Sequence, residues 1–248
     1  MIEIKSQEDI RKMREAGRIV GQVHELMRQL VEPGVTTAML NEKAEELILS
    51  HKAIPSFKGY GGFPAALCIS IDDEVVHGIP GARRLEEGSI VSIDAGAYLD
   101  GFHGDAAISL PVGRVSEEKA LLLKVTEESL HKGIEQAVAG ARLGDISHAV
   151  QHHCEQYGFS VVREYVGHGI GRHLHEDPQV PNYGPPHRGV RLQENMALAI
   201  EPMVNIGKAD VQVQSDGWTV KTADGKASAH FEHTIVITAH GPEIMTIP

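Results

Sequence analysis

The stretch from Ile90 to Leu110, IVSIDAGAYLDGFHGDAAISL, predicts a β-hairpin around which the rest of the chain is organised. Residues 90–94 and 106–110 are mostly apolar and contain β-branched side chains, as is typical of buried strands. Between them, Asp100-Gly101 is one of the strongest sequence signals for a two-residue hairpin turn. We therefore expect a long antiparallel strand pair at this point in the chain.

The turn also decides which residues face each other across the hairpin. It pairs Leu99 with Phe102 and places Asp94 opposite Ala107. Because side chains alternate along a strand, Asp105 shares the face of Ala107 and lies diagonally from Asp94, roughly 7–8 Å away at the backbone. Two carboxylates aimed together inside an apolar hairpin need cations between them or a retained proton, because isolated buried charges are costly. The alternative is that both cap strand ends at the surface.

Composition limits the classes of function. The chain has 248 residues, of which 42% are hydrophobic, and this allows a sizeable core in one domain over residues 1–248. The net charge of -11 argues against nucleic-acid partners and anionic membranes. Two distant cysteines, with no apolar leader and no membrane-length run, favour the cytoplasm and exclude a disulfide framework. Nothing in the sequence requires more than a monomer.

The order of predicted elements indicates an α+β fold in two similar halves. A helix opens at a capping box of Ser6 and Asp9, and a second helix is expected to be capped by Thr37, with four strands after it. Past a joint near residues 113–116, a helix opening at Ser116 and another at Asp145 or Ser147 precede at least four more strands. The second half thus loosely repeats the first, as an internal pseudo-symmetry within one domain.

Three later residues could join the aspartate pair in a metal site. His168 lies between two glycines, Glu201 ends the apolar strand MALAIEP, and Glu232 sits inside the predicted strand HFEHTIVIT. Alone, each could be a turn histidine, a strand-end carboxylate or a salt-bridged carboxylate. Together with the aspartates they supply four carboxylates and one imidazole, which suits Mn, Fe or Co and exceeds the needs of one ion. The pattern indicates metal-assisted hydrolysis by a pair of divalent ions about 3.5–4 Å apart.

Two other histidine patterns compete for this interpretation. His103 and Asp105 have the H-x-D spacing of mononuclear iron oxygenases, but that motif leaves Asp94 and both glutamates unexplained. His148 and His152 have helical i, i+4 spacing, without the carboxylate between them that a zinc protease helix requires. We interpret these two as surface or packed histidines.

Motifs along the whole chain resemble those of type I methionine aminopeptidases of the short bacterial form. Besides the hairpin, the motifs are SFKGYGGFPAALCIS (56–70), EVVHGIPG (74–81), EYVGHGIGRHLHEDP (164–178), MALAIEPM (196–203) and HFEHTIVIT (230–238). The resemblance implies a pita-bread fold, with two pseudo-symmetric α-β halves around a curved antiparallel sheet. It also implies removal of the initiator methionine from the N-termini of nascent polypeptides, with two divalent ions (Mn, Fe(II) or Co) activating a water.

The resemblance further implies a division of roles among the metal ligands. In such enzymes Asp94 is similar to the carboxylate that chelates one ion, while Asp105 and Glu232 bridge both ions. His168 and Glu201 complete the other ion, and Glu201 also shuttles the proton.

Two more histidines match catalytic positions in the family. His77 in VVHGIP and His175 in HLHEDP are similar to the histidines that contact the scissile amide and its carbonyl. Such groups accelerate the reaction when they bind the tetrahedral intermediate better than the planar substrate. Without the motif context, both would be read as loop histidines.

By the same resemblance, an apolar pocket for the methionine side chain is lined by Tyr60, Phe63, Cys68 and Trp218. Cys68 is interpreted as a small pocket hydrophobe and not as a nucleophile, whereas Trp218 could equally be a core residue. Leu174 and Phe63 stand where the enterobacterial form has Phe and Tyr. These changes keep the wall apolar and alter its size.

Two rival classes share the expected fold. Aminopeptidase P and prolidase use the same ligand types and carry an additional N-terminal domain. Non-catalytic binding proteins keep the shape and lose ligands. A chain of 248 residues leaves no room for that additional domain, which argues against the proline-specific enzymes. The five intact ligand types and both histidines argue against a binding protein, so a methionine-removing enzyme is favoured.

Overall fold

A computed structural model describes residues 2–248, so Met1 lies outside the described residues. Four helices were found: α1 (Gln7–Leu30), α2 (Thr37–Ser50), α3 (Glu117–Glu135) and α4 (Leu143–Gln156). The predicted capping box forms at the start of α1, where the Ser6 hydroxyl accepts from the Asp9 amide and the Asp9 carboxylate accepts from the Ser6 amide. Thr36, and not Thr37, caps α2; Thr37 is the first helical residue, and its hydroxyl donates to the Gly81 carbonyl.

Fifteen strands complete the described chain. They are β1 (Ile54–Pro55), β2 (Leu67–Ile71), β3 (Glu74–Val76), β4 (Ile90–Leu99), β5 (Phe102–Pro111), β6 (Ser160–Val161), β7 (Gly167–Gly169), β8 (Glu176–Val180), β9 (Ala197–Ile200), β10 (Met203–Asn205), β11 (Val211–Val213), β12 (Val220–Thr222), β13 (Ser228–His230), β14 (His233–Thr238) and β15 (Gly241–Ile244). A short 3-10 turn covers Tyr60–Gly62.

The β4–β5 hairpin has the predicted register. Leu99 pairs with Phe102 and Asp94 with Ala107, and the turn residues Asp100 and Gly101 both have positive φ angles. On its other side β4 pairs with β1 and β2, so the first half is a four-stranded antiparallel sheet. β4 therefore forms the middle of this sheet, and β5 is one of its edges.

Helix α1 packs on the hairpin at a point of very close approach. A Cβ atom at Gly104 of β5 would lie 2.6 Å from the backbone nitrogen of Gly17 in α1. Only glycine at position 104 lets the helix backbone come this close to the strand. The contact holds the first helix against the face of β5 that it covers.

The second half has a five-stranded antiparallel sheet in the order β15-β14-β9-β7-β8, and α3 packs against α4. The two sheets meet where β5 runs beside the start of β14. Ala107 and Glu232 exchange both backbone hydrogen bonds there, at 2.9 and 3.3 Å. The hydroxyl of Thr234 accepts from the Asp105 amide and donates to its carbonyl, which extends the contact. One hydrophobic core spans both halves.

Three boundaries differ from the sequence expectation. Helix α4 begins at Leu143, because Asp145 accepts from the amide of Arg142 and so belongs to its first turn. The predicted strand at 231–238 begins two residues later, at His233, so Glu232 lies between β13 and β14. The expected loop over 167–186 contains β7 and β8, which places His168 within a strand. None of the helices within residues 2–248 combines the length and the hydropathy of a membrane-spanning segment.

Candidate metal centre

Asp94 and Asp105 lie together at the bottom of a cavity, as the hairpin register predicted. Asp105 is 4% exposed, and an Oδ1 atom of each carboxylate is buried without a hydrogen-bond partner. Burial raises the pKa of Asp105 to about 7. Burial, together with the nearby carboxylates of Asp105 and Glu201, raises the pKa of Asp94 well above its ordinary value. The surface-cap interpretation of this pair is therefore wrong.

The second half of the chain brings three more ligand-type residues into the same cavity. His168 comes from β7, Glu201 follows β9, and Glu232 lies in the break before β14. The Nε2 atom of His168 lies 3.5 Å from Oε1 of Glu201 and 3.8 Å from Oδ2 of Asp105. All five residues that the sequence predicted as metal ligands thus line one cavity at the junction of the two sheets.

The tautomer of His168 is determined by its surroundings. Its Nδ1 atom lies 2.9 Å from the carbonyl oxygen of Gly169, and a carbonyl can only accept. Nδ1 therefore carries the proton, and Nε2 directs a lone pair at the carboxylates. Burial lowers the pKa of His168 to about 3, so the ring is neutral near pH 7. A neutral imidazole with a free nitrogen is the form that binds metals.

His230 also belongs to this cluster, although the sequence analysis did not single it out. It is 1% exposed, and its Nε2 atom lies 3.6 Å from Oε2 of Glu201 and 4.0 Å from Oε2 of Glu232. That nitrogen has no hydrogen-bond partner, and burial lowers the pKa of His230 to about 3. The signal was the i, i+2 spacing of His230 and Glu232, because alternate residues of an extended segment share a face.

The donor set fits divalent cations. Ligand atoms of Asp105, His168 and Glu232 lie within 4.8 Å of one another, as do those of Glu201, His230 and Glu232. Burial and neighbouring carboxylates raise the pKa of both glutamates. No Lys or Arg lines the cavity among residues 2–248, so no side-chain cation balances these carboxylates. Buried carboxylates without a cation are unfavourable, and oxygen ligands with imidazole suit Mn, Fe or Co.

The whole cavity has a volume of about 220 Å³, and the rest of its lining is largely apolar. All four residues predicted for the methionine pocket line it: Tyr60, Phe63, Cys68 and Trp218. Phe63 is buried and packs edge-on against Trp218 with ring centroids 5.2 Å apart. Burial raises the pKa of the Cys68 thiol, so this residue is a neutral wall group. Leu174 is buried in the same wall.

Both predicted catalytic histidines also face the cavity. Nδ1 of His175 lies 2.7 Å from the hydroxyl of Tyr60. The imidazole rings of His175 and His168 pack edge-on, with centroids 4.4 Å apart. His77 has a positive φ angle of 61° and packs edge-on against Tyr165. Burial lowers the pKa of His77 to about 4 and lowers that of His175 as well, so both rings are neutral near pH 7.

The competing histidine patterns lie elsewhere. His103 is outside this cavity, and its Nδ1 atom contacts the Ser56 hydroxyl at 2.9 Å. His148 and His152 stack on each other along α4, with ring centroids 5.6 Å apart. None of the three belongs to a metal-type cluster of the described residues.

Comparisons with known proteins agree with this geometry. The sequence model of metallopeptidase family M24 matches residues 11–239. Methionine aminopeptidase from Clostridium acetobutylicum is 55% identical over 248 residues, covering 100% of this chain and 99% of that protein. Methionine aminopeptidase 1 from Bacillus subtilis is 55% identical over 246 residues, covering 99% of each.

Solved structures give the same result. The crystal structure of methionine aminopeptidase from Thermotoga maritima superposes with a TM-score of 0.99, at 48% identity and 100% coverage of both chains. Prolidase from Pyrococcus furiosus, at 21% identity, shares only the fold: its TM-score is 0.76, with 99% of this chain and 65% of the prolidase covered. The chain therefore has the pita-bread fold and belongs to metallopeptidase family M24, among the methionine aminopeptidases.

Proposed function

We propose that this chain removes the N-terminal methionine from polypeptides, in particular from nascent chains that retain the initiator residue. The observation that carries the proposal is that the apolar pocket and the carboxylate cluster lie in one cavity. A thioether side chain fits a pocket of aromatic and sulfur-containing groups such as Phe63, Cys68 and Trp218. Relatives that are 55% identical over the whole chain carry the name of this activity.

We further propose that Asp94, Asp105, His168, Glu201 and Glu232 would hold two divalent ions, with Mn, Fe(II) or Co as candidates. When bound, such ions lower the pKa of a water molecule and polarise a carbonyl oxygen. The raised pKa of the carboxylates supports this assignment. Their ionised forms are unfavourable in the metal-free site, and bound cations would stabilise them.

The remaining roles concern protons and positioning. Glu201 is proposed to accept the proton that the attacking water loses and to pass it to the leaving amine, since burial raises the pKa of its carboxyl group. His230, whose Nε2 atom lies 3.6 Å from Oε2 of Glu201, would help to position that carboxylate. His77 and His175 would donate to the substrate amide and to the oxygen that becomes negative as the carbonyl carbon turns tetrahedral.

We also propose that residues 1–248 act as one catalytic domain, as a monomer in the cytoplasm, with neither nucleic acid nor membrane as a partner. The single core shared by both halves supports the domain assignment. Sedimentation of the purified protein tests the monomer assignment.

Methionine release from the peptide Met-Gly-Met-Met tests the activity. Metal-stripped protein receives Mn, Fe(II), Co or Zn in turn, and the control substrate is a peptide with proline at the second position and a residue other than methionine at the first. We expect metal-dependent release from the first peptide, and none from Glu201→Gln. Release of the residue that precedes proline would favour a prolidase-like enzyme. Folded protein that is silent with every metal would favour a non-catalytic binding protein.

A further inference from the structure

Lys5 is buried although it lies in the extended segment before α1. Its side chain is 1% exposed, and its Nζ atom lies 2.6 Å from Oε2 of Glu176 and 3.1 Å from Oε2 of Glu3. Its backbone nitrogen donates to the carbonyl of Asn195 at 2.9 Å. Lysine is seldom buried unless it is paired, so this placement needs a reason.

Glu176, the partner of Lys5, directly follows His175. Its other carboxylate oxygen, Oε1, accepts from the backbone amide of His173 at 3.1 Å. One carboxylate therefore contacts Lys5 on one side and the backbone of the segment 171–176 on the other. A Cβ atom at Gly171 would overlap Nζ of Lys5, so the ammonium group fills the space under this segment.

A second ion pair of opposite polarity joins the same two parts of the chain. Nη2 of Arg172 lies 3.0 Å from Oδ1 of Asp9, in the first turn of α1, and its guanidinium stacks 4.5 Å above the ring of Phe102. The N-terminal segment thus supplies a cation to Glu176 and an anion to Arg172. If the segment 171–176 shifted so that Glu176 met Asp9 or Arg172 met Lys5, like charges would be brought together. The two pairs therefore favour one position of this segment against the N-terminal residues.

Buried ion pairs contribute little net stability, because desolvation offsets most of the attraction. In some proteins such pairs instead select one arrangement of the chain over others. Here the selected arrangement is that of the segment carrying His175, whose ring contacts Tyr60 and His168 at the cavity.

We propose that Lys5 is a positioning residue for peptide hydrolysis: through Glu176 it fixes where the His175 imidazole stands. The inference rests on the proposed function, from which His175 takes its contact with the substrate. Neither Lys5 nor Glu176 lines the cavity, so both act through the backbone of the segment 171–176.

Lys5→Met tests this directly, because methionine keeps an unbranched apolar stem and removes the ammonium. We expect kcat to fall by about tenfold or more while KM changes less than about twofold, since His175 is proposed to bind the transition state better than the substrate. Lys43→Met is the matched control: Lys43 makes a 2.7 Å ion pair with Glu46 on the exposed surface of α2, and its loss should leave both constants unchanged.

The charge-balanced double variant Lys5→Met/Glu176→Gln separates positioning from folding. It leaves no unpaired carboxylate at position 176, so the melting temperature should return toward that of the wild type. We expect kcat to stay low, because the contact that holds the segment is still missing. Recovery of kcat together with the melting temperature would overturn the proposal.

Hydrogen exchange of the metal-free protein gives a measurement independent of activity. Because the His173 amide is held by Glu176, Lys5→Met should speed exchange in 171–176 by about tenfold or more and leave α1 unchanged. Unchanged exchange and unchanged kcat, with an active wild type, would overturn this inference alone. A wild-type protein that releases no methionine would overturn the proposed function first, and this inference with it.

Discussion

The hydroxyl of Tyr60 lies 2.7 Å from Nδ1 of His175, and this contact connects the 3-10 turn over the pocket to the β8 side of the cavity. A phenol that donates to Nδ1 leaves the imidazole proton on Nε2, where it can be donated to a substrate oxygen. Tyr60 is 47% exposed, so its burial contributes little to folding. We expect its hydroxyl to act by orienting His175.

Tyr60→Phe should lower kcat/KM for Met-Gly-Met-Met by about 3- to 10-fold, the effect of losing one hydrogen bond of about 1 kcal/mol. Steady-state kinetics of the metal-loaded enzyme measure this. Tyr157→Phe removes a hydroxyl from an exposed tyrosine at the end of α4 and should have no effect. Equal rates for Tyr60→Phe and the wild type would show that the contact does not orient His175.

Loss of a residue that only supports a metal ligand weakens metal binding by about 10- to 100-fold. Glu232→Gln should weaken Mn²⁺ binding by more than this, because Glu232 is proposed as a ligand itself. The metal-free variant should be at least as stable as the metal-free wild type at pH 7.5. The reason is that burial and the neighbouring carboxylates raise the pKa of Glu232. Its negative charge therefore destabilises the metal-free protein, and glutamine removes that charge. Calorimetric titration and thermal melts with and without Mn²⁺ give both quantities.

Asp210→Asn is the control for this prediction, because Asp210 is an exposed carboxylate outside the cavity. It should keep the metal-induced rise in melting temperature. If Glu232→Gln also keeps that rise, Glu232 is not a metal ligand.

Gly104→Ala should destabilise the protein by about 2–3 kcal/mol, at the upper end of the usual cost of overpacking. Its Cβ would lie 2.6 Å from the Gly17 nitrogen and 2.7 Å from the Gly17 Cα, and backbone atoms of a packed helix cannot move aside as a side chain can. Gly81→Ala is the matched control, since nothing lies within 4 Å of a Cβ built there. Urea unfolding of both variants measures the difference in unfolding free energy. Equal stabilities would mean that α1 can move away from β5 without loss of free energy.

His24 should make the fold sensitive to acid. It is buried on α1 behind β5, and burial lowers its pKa to about 3 from an ordinary value of 6.5. The titratable groups facing it from the packed elements are Glu25 and Arg28 of α1, Glu127 and His131 of α3, and His230 and His233 around β14. Because the unfolded chain binds this proton more readily, stability is present above pH 6.5 and is lost as the pH falls toward 3.

The expected loss from His24 is about 2 kcal/mol between pH 7 and pH 5. His24→Leu should therefore narrow the difference in unfolding free energy between these two pH values. Met27→Leu, a buried substitution on the same helix without a titrating group, should shift stability by the same amount at every pH. If the His24→Leu curve runs parallel to that of the wild type, the protonation of His24 does not limit acid stability.

The sequence predicted the hairpin in full because its information is local. A two-residue turn and a side-chain period of two fix the Asp94–Ala107 pairing without reference to the rest of the chain. The capping box at Ser6 was equally local, since all its partners lie within three residues. The residues from the second half were candidates from their local sequence context, and the family motifs added their division of roles; they lie in the cavity with the aspartates.

Contacts between segments that are distant in the sequence could not be predicted from local sequence patterns. Lys5 and Glu176 are 171 positions apart, and nothing around Lys5 indicates that its ammonium is buried. The break at Glu232 was missed because the residues around it have high strand propensity, while the backbone there pairs with Ala107 of the other half. His230 was missed although its i, i+2 spacing from Glu232 was a local signal; its other neighbour, Glu201, lies 29 positions away.

The backbone contact between Ala107 and Glu232 also means that the two halves of the chain could be studied as separate fragments that reassociate. Cutting the connection at residues 113–116 would leave two acidic side chains of the cluster on the N-terminal piece and the remaining members on the C-terminal piece. Neither piece alone would hold all five proposed metal ligands. Tight metal uptake would then report reassembly of the halves, and the strength of the junction between the sheets could be measured as an association constant between two polypeptides.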